Sequence, residues 1–166
     1  MTFTPSQSDR RGFLGLGIAA GASLLLFGRS GRAAPQMHFA VSHTPTDWQH
    51  RLGPQRFHIL REAGTERAFT SPLLNEHRKG TFICAGCALP LFNSATKFES
   101  GTGWPSFWKP LPKAVVERSD RSLLMARTEV LCARCGGHLG HVFDDGPRPT
   151  GLRYCMNGLA LQFRPV

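Results

Sequence analysis

Two Cys-x-x-Cys pairs, Cys84-Ala-Gly-Cys87 and Cys132-Ala-Arg-Cys135, constrain this chain more than any other feature. A pair of cysteines with two residues between them forms a knuckle, and two knuckles can present four thiolates in a tetrahedron. That is the donor set of a closed structural zinc site. The gap between the knuckles is longer than in a compact zinc ribbon, so other strands must lie inside the loop. Two disulfides are the alternative reading. A redox Cys-x-x-Cys is another, but it needs a thioredoxin-like βαβ setting that the pattern here lacks. In "CARCGGHLGH", His138 and His141 follow the second knuckle and make a competing ligand pair. If the four cysteines hold the ion, its four positions are filled, the histidines are free, and the metal has no open place for catalysis.

The same count isolates Cys155, the fifth cysteine. "LRYCMNGLALQF" reads as one strand, with Arg153, Cys155 and Asn157 on one face, followed by Leu159, Leu161 and Phe163. A guanidinium near a thiol favours the reactive thiolate. A buried, inert cysteine is the alternative, and the charged Arg153 on the same face argues against it.

Two further stretches carry chemistry. In "ESGTGWPSFWKP", Gly101 and Gly103 free the backbone and Pro105 stiffens it, so Trp104 is presented either as the wall of an apolar pocket or as a core aromatic. In "GGHLGHVFDDGPRPTG", His138, His141 and Asp145 suit proton transfer, and with Cys155 they form a Cys/His set.

The rest of the pattern sets the architecture. "TPTDWQHRLGPQRFHILREAG" predicts two short helices, with Pro54 in the first turn of the second and Gly64 as its stop. After Gly80 the period shortens. "TFICAGC", "AVVER", "SLLMARTEVLC", "GHVF" and "LRYCMNGLALQF" predict strands, while 90–112 and 144–152 read as irregular chain. The expectation is a mainly β domain of antiparallel strands with a small helical N-terminal piece.

Before this domain, Arg10 and Arg11 precede an uncharged stretch, Gly12 to Gly28, and a small-residue patch at Ala33 and Ala34. The layout predicts a signal over 1–33 that resembles a twin-arginine export signal, a linker over 34–45, a domain over 46–166, and a periplasmic location. An N-terminal membrane anchor facing the periplasm is the alternative, but the apolar stretch is short and diluted by glycine. Of 20 basic and 11 acidic residues, the first 33 carry four arginines and one aspartate; the remaining 16 positives face 10 negatives without a basic run. That argues for a solvated basic surface over a nucleic-acid groove.

The motifs "SGTGWPSF", "HLGHVFDDGP" and "LRYCMNG", together with the two knuckles, "GTERAF" and "TKFESGTGWPSF", resemble the B-type peptide-methionine (R)-S-oxide reductases from about Thr46 to Phe163. The resemblance implies two antiparallel sheets and a zinc ion on Cys84, Cys87, Cys132 and Cys135, remote from the catalytic cysteine. It implies that Cys155 is the nucleophile and that Trp104 cradles the sulfoxide methyl. His138 and His141 would assist the sulfoxide oxygen, Arg153 and Asn157 would support the cysteine, and Asp145 would orient a histidine or a water. The expected substrates are oxidised proteins, and the expected product on the enzyme is a sulfenic acid. Many relatives place a resolving cysteine where this chain has Thr102, so a single-cysteine monomer served by an external thiol, thioredoxin-like or small, is predicted. The competing classes are a non-catalytic zinc-stabilised binding module, a nucleic-acid-binding zinc domain and a thiol oxidoreductase using the knuckles.

Overall fold

The structure is a computed structural model and describes residues 37–121 and 126–166. The predicted signal, and Ser122 to Met125 of the "SLLMARTEVLC" segment, lie outside the described residues. Among the described residues no helix is long and apolar enough to cross a membrane.

Helix α1 spans Pro45–Glu62. Thr44 caps it by accepting the Asp47 N–H at 3.1 Å, an arrangement that satisfies an otherwise orphaned donor. The two predicted helices are the two halves of this element, broken at Gly53, whose φ of 68° and ψ of 169° are not helical. Pro54 then restarts the helix, because its fixed φ suits a first turn. The stop differs from expectation: Ala63, not Gly64, takes the left-handed conformation at φ 54°. The helix buries Trp48, Ile59 and Leu60.

Nine strands follow: β1 Gly80–Cys84, β2 Pro90–Asn93, β3 Lys97–Phe98, β4 Ser106–Phe107, β5 Val115–Asp120, β6 Arg127–Cys132, β7 His138–Phe143, β8 Arg153–Met156 and β9 Leu161–Pro165. All pairings are antiparallel. They form a three-stranded sheet, β2-β1-β9, and a six-stranded sheet, β3-β4-β8-β7-β6-β5. The two-sheet expectation is met.

Two expectations need correction. The stretch 90–112 is not irregular throughout, since β2, β3 and β4 lie in it. Three of these pieces are too short to show a period of two. The single strand read from "LRYCMNGLALQF" is two strands in different sheets, separated by a 3-10 turn at Gly158–Ala160. Asn157 therefore lies beyond the end of β8, and Leu161 and Phe163 belong to the other sheet.

The sheets meet through aromatic rings. Phe92 of β2 stacks on Phe107 of β4 at 4.3 Å, and Phe82 of β1 meets Phe107 edge-on at 4.9 Å. All three are fully buried. Burial of each contributes about 2–3 kcal/mol, and together they couple the sheet that carries one knuckle to the sheet that carries Cys155.

Candidate functional site

Cys84 ends β1 and Cys132 ends β6, and each strand runs into a turn that brings back the next cysteine. The turns match: Ala88 N–H donates to Cys84 O at 2.8 Å, and Gly136 N–H to Cys132 O at 2.9 Å. The four sulfurs lie within 4.8 Å of one another. Cys84 and Cys135 are 3.7 Å apart, and Cys87 and Cys132 3.5 Å. These separations are far beyond an S–S bond of about 2.05 Å, and all five cysteines are free. A tetrahedral ion bonded to sulfur at about 2.3 Å spaces its ligands about 3.8 Å apart. The quartet has that size and could hold a metal. Without a cation the thiols oppose one another: contact with Cys132 pushes the Cys84 and Cys135 thiols up and holds Cys87 low, while Cys135 holds Cys132 low.

Cys155 sits elsewhere, in the middle of the six-stranded sheet. On one side β4 places Ser106 opposite it, and on the other β7 places His141 opposite it. A cavity of about 210 Å³ opens there, lined by Cys155, Trp104, His141, Arg127, Phe143 and Asn157, with Thr65 and Gly140. Gly140 permits the close approach of β7 to β8 beside it, since a Cβ there would stand 2.1 Å from the Cys155 carbonyl oxygen. A larger hollow of about 780 Å³ lies along Arg56, Arg67, Arg78 and Leu159 and contains no cysteine. The cysteine outside the quartet, Cys155, marks the smaller cavity as the candidate site.

The loop before β4 sets Trp104. Gly103 has φ +91° and its carbonyl accepts the Phe69 N–H at 2.8 Å. The Trp104 indole N–H donates to Glu66 O at 3.2 Å. Trp104 is thus a cavity wall, as one of its two sequence readings has it.

Each histidine has a carboxylate partner, and neither is Asp145. His138 Nδ1 meets Glu129 Oε1 at 2.8 Å, and Arg118 clamps the other Glu129 oxygen at 2.9 and 2.6 Å. His141 Nε2 meets Asp120 Oδ2 at 2.9 Å, and Arg127 donates to that same oxygen at 2.6 Å. The two imidazoles face edge to ring, 5.5 Å apart. Burial pushes the His141 imidazole below its ordinary value, against the pull of Asp120. Burial of Glu129 is outweighed by its bonds to His138 and Arg118, which hold its carboxyl low. His138 is buried, and its Nε2, like Arg127 Nε, has no partner among the described residues. Such orphaned atoms mark places where a water or a substrate atom belongs.

Asp145 meets Arg153, which donates to both its oxygens at 2.8 Å. The Arg153 guanidinium lies over the Phe143 ring at 4.4 Å. Its charge is favoured first by Asp145 and also by the nearby Cys155. Asp145 thus positions Arg153 rather than a histidine.

Asn157 is buried, and its side chain is consumed by backbone: Oδ1 accepts the Glu66 N–H at 3.0 Å and Nδ2 donates to Leu139 O at 3.2 Å. The Glu66 carboxylate in turn accepts the N–H of Gly158 and, at 3.0 Å, that of Leu159. Sequence reasoning missed Glu66, Asp120, Arg127 and Glu129. Glu129 left a signal, since a carboxylate amid the apolar run "TEVLC" needs a partner once buried. The others left none.

The SelR domain family matches residues 52–165. The chain is 54% identical over 129 residues to a peptide methionine sulfoxide reductase MsrB of Leptospira interrogans, spanning 77% of this chain and 98% of that protein. It is 56% identical over 127 residues to the MsrB of Agrobacterium fabrum, spanning 76% of this chain and 94% of that protein. With the chloroplastic peptide methionine sulfoxide reductase B1 of Arabidopsis thaliana it shares 52% over 127 residues, 76% of this chain and 63% of that protein.

Proposed function

The chain belongs to the SelR-domain family of peptide methionine sulfoxide reductases, and from that premise we propose that it reduces the R epimer of methionine sulfoxide in proteins through Cys155. The protein is an oxidoreductase that reduces methionine sulfoxide. The observation that carries the choice of nucleophile is the placement of the cysteines: four are gathered in one cluster, and Cys155 alone lines the cavity with Trp104 and His141.

The Cys155 thiolate attacks the sulfoxide sulfur while the oxygen is protonated or strongly hydrogen-bonded. A bond forms between the two sulfurs as the substrate sulfur–oxygen bond breaks and the protonated oxygen leaves as water. A water then attacks the Cys155 sulfur, the sulfur–sulfur bond breaks, and methionine departs, leaving Cys155 as a sulfenic acid. One external thiol then forms a mixed disulfide and releases water, and a second restores the thiol. The donor is a thioredoxin-like protein or a small thiol. Trp104 receives the sulfoxide methyl against its indole. His141, with His138 behind it, serves the oxygen, and their carboxylates Asp120 and Glu129 set the ring orientations. Arg153, held by Asp145, sets a positive charge near the Cys155 sulfur. Asn157 fixes the backbone beside it.

The four-cysteine cluster fits zinc by donor type and by size. Cys84, Cys87, Cys132 and Cys135 would hold it, and its contribution is to tie β1 to β6 with no open coordination position. The chain acts as a monomer, which sedimentation tests. Arg10 and Arg11 support export to the periplasm by the twin-arginine route; Lys in place of both should retain the protein in the cytoplasm.

The deciding experiment supplies a peptide with either sulfoxide epimer to wild type and to Cys155→Ser, with a dithiol as reductant. Turnover of the R epimer by wild type alone is expected. Turnover of the S epimer, or activity surviving the substitution, overturns the reading.

A further inference from the structure

The side of Cys155 away from the histidines carries a chain of hydroxyls. Thr102 Oγ1 lies 3.7 Å from the Cys155 sulfur. It is 2.8 Å from Ser100 Oγ, which is 2.7 Å from Ser106 Oγ. Ser106 Oγ–H donates to the Trp104 carbonyl at 3.2 Å. Ser106 is also the residue opposite Cys155 in the β4–β8 ladder, and it is buried.

Counting protons gives this chain a direction. A hydroxyl has one proton and two lone pairs. Ser106 spends its proton on a carbonyl, which can only accept, so Ser100 must donate to Ser106. Ser100 then has only lone pairs left, and it takes the Thr102 N–H at 3.4 Å with one of them. The Thr102 proton is the first in the chain free to choose. With Cys155 as a thiol it points to Ser100, and the S–H can donate to Thr102. With Cys155 as a thiolate, one rotation about the Thr102 C–O bond turns the proton from Ser100 onto sulfur, exchanging a bond to a neutral oxygen for one to a charged acceptor.

We propose that Thr102 is a catalytic residue that donates a hydrogen bond to the Cys155 thiolate, with Ser100 and Ser106 as positioning residues that fix its place and set the one other acceptor its proton can choose. The consequence for turnover rests on the reductase reading; the hydrogen bond does not. A bond to an ionised acceptor is stronger and shorter than a neutral one, so the contact tightens as sulfur takes up charge. The other charged or titratable groups around Cys155 are Arg153 on its own strand, held by Asp145, and His141 on β7 with Arg127 on β6, both bonded to Asp120. These act from the opposite side or along the strand. On the β4 side the sulfur's partner is the neutral Thr102.

The test is the rate of iodoacetamide alkylation of Cys155 against pH, read on the Cys155 peptide by mass spectrometry, which requires no turnover. Thr102→Val should alkylate about tenfold more slowly at pH 7, with its curve displaced to higher pH, a change worth one pH unit. Thr102→Ser should restore the wild-type curve. Ser100→Ala, which touches neither sulfur nor substrate, removes the acceptor that competes for the Thr102 proton and should speed alkylation two- to fourfold. Wild-type curves for both Thr102→Val and Ser100→Ala overturn the proposal, and Ser100→Ala decides alone if Thr102→Val does not fold. Sulfoxide turnover lost in Cys155→Ser beside unchanged alkylation in the Thr102 variant would leave the reductase reading standing and this proposal rejected.

Discussion

The backbone N–H of Glu66 donates to Asn157 Oδ1 at 3.0 Å, joining residues 91 apart in sequence. The bond is one side of a closed brace. The Glu66 carboxylate takes the N–H of Gly158 and of Leu159, and its carbonyl takes the Trp104 indole. One buried residue therefore fixes the end of β8, two residues past Cys155, and the ring that faces it.

Glu66→Ala leaves two N–H groups in a buried turn without acceptors, at a cost of about 2–4 kcal/mol. Denaturant melts should show that loss, while the Trp104 indole keeps its acceptor, the Glu66 backbone carbonyl. Glu66→Gln keeps one acceptor oxygen and should lose about half as much. A Glu66→Ala protein as stable as wild type would show that the brace is not needed.

Thr102→Cys should convert the enzyme from one reducing cysteine to two. The Thr102 hydroxyl already lies 3.7 Å from Cys155 Sγ, and a cysteine there needs only a small shift to reach disulfide distance. After a single turnover without reductant, the variant should lose two hydrogens and resist dimedone, whereas wild type should carry a dimedone-reactive sulfenic acid. An internal disulfide at Cys155 in wild type, with the quartet intact, would contradict the single-cysteine scheme.

On the zinc reading of the quartet, stripping the ion should unfold the domain rather than only inhibit it. The quartet ties β1 of one sheet to β6 of the other, and structural metal binding is folding free energy. Cys132→Ala should therefore cost about 4 kcal/mol or more. Under a strong chelator, activity and circular dichroism should fall together. Activity lost with the fold intact would point to a catalytic metal.

His141 gives the molecule a pH dependence of known sign. Its imidazole is held below the ordinary histidine value, chiefly by burial. The unfolded chain then binds the proton more readily, so this contribution to stability is complete above about pH 6.5 and is lost as pH falls below it. Asp120 pulls the other way, and Arg127 pushes down. Asp120→Asn should move the His141 titration, followed by its ring NMR signals, to still lower pH. A shift upward would mean that Asp120 does not set this imidazole.

The four-thiol cluster was legible in the sequence because a knuckle is local: two residues of spacing already decide that its thiols point together. Cys155 was legible by subtraction from it. The strands at 80–84, 115–120 and 138–143 were legible because each is long enough to show its pattern. The break between β8 and β9 was not, although the buried positions change parity across Asn157-Gly158, from Tyr154 and Met156 to Leu161. Nor were the carboxylates of the histidines. Asp145 is near them in sequence, yet Glu129 meets His138 from the adjacent strand β6 and Asp120 meets His141 from β5, one strand further.

By itself, the order of residues determined the mainly β class, the four-thiol cluster and the identity of the one remaining cysteine. Each of these depends on chemistry within a few residues or on a simple count. Only the tertiary structure decided that Thr102 lies against the sulfur, that Asp120 rather than Asp145 serves His141, and that Glu66 braces Asn157. Those pairs stand 53, 21 and 91 residues apart. They meet because strand register and sheet packing bring distant backbone together, and no local propensity records that register.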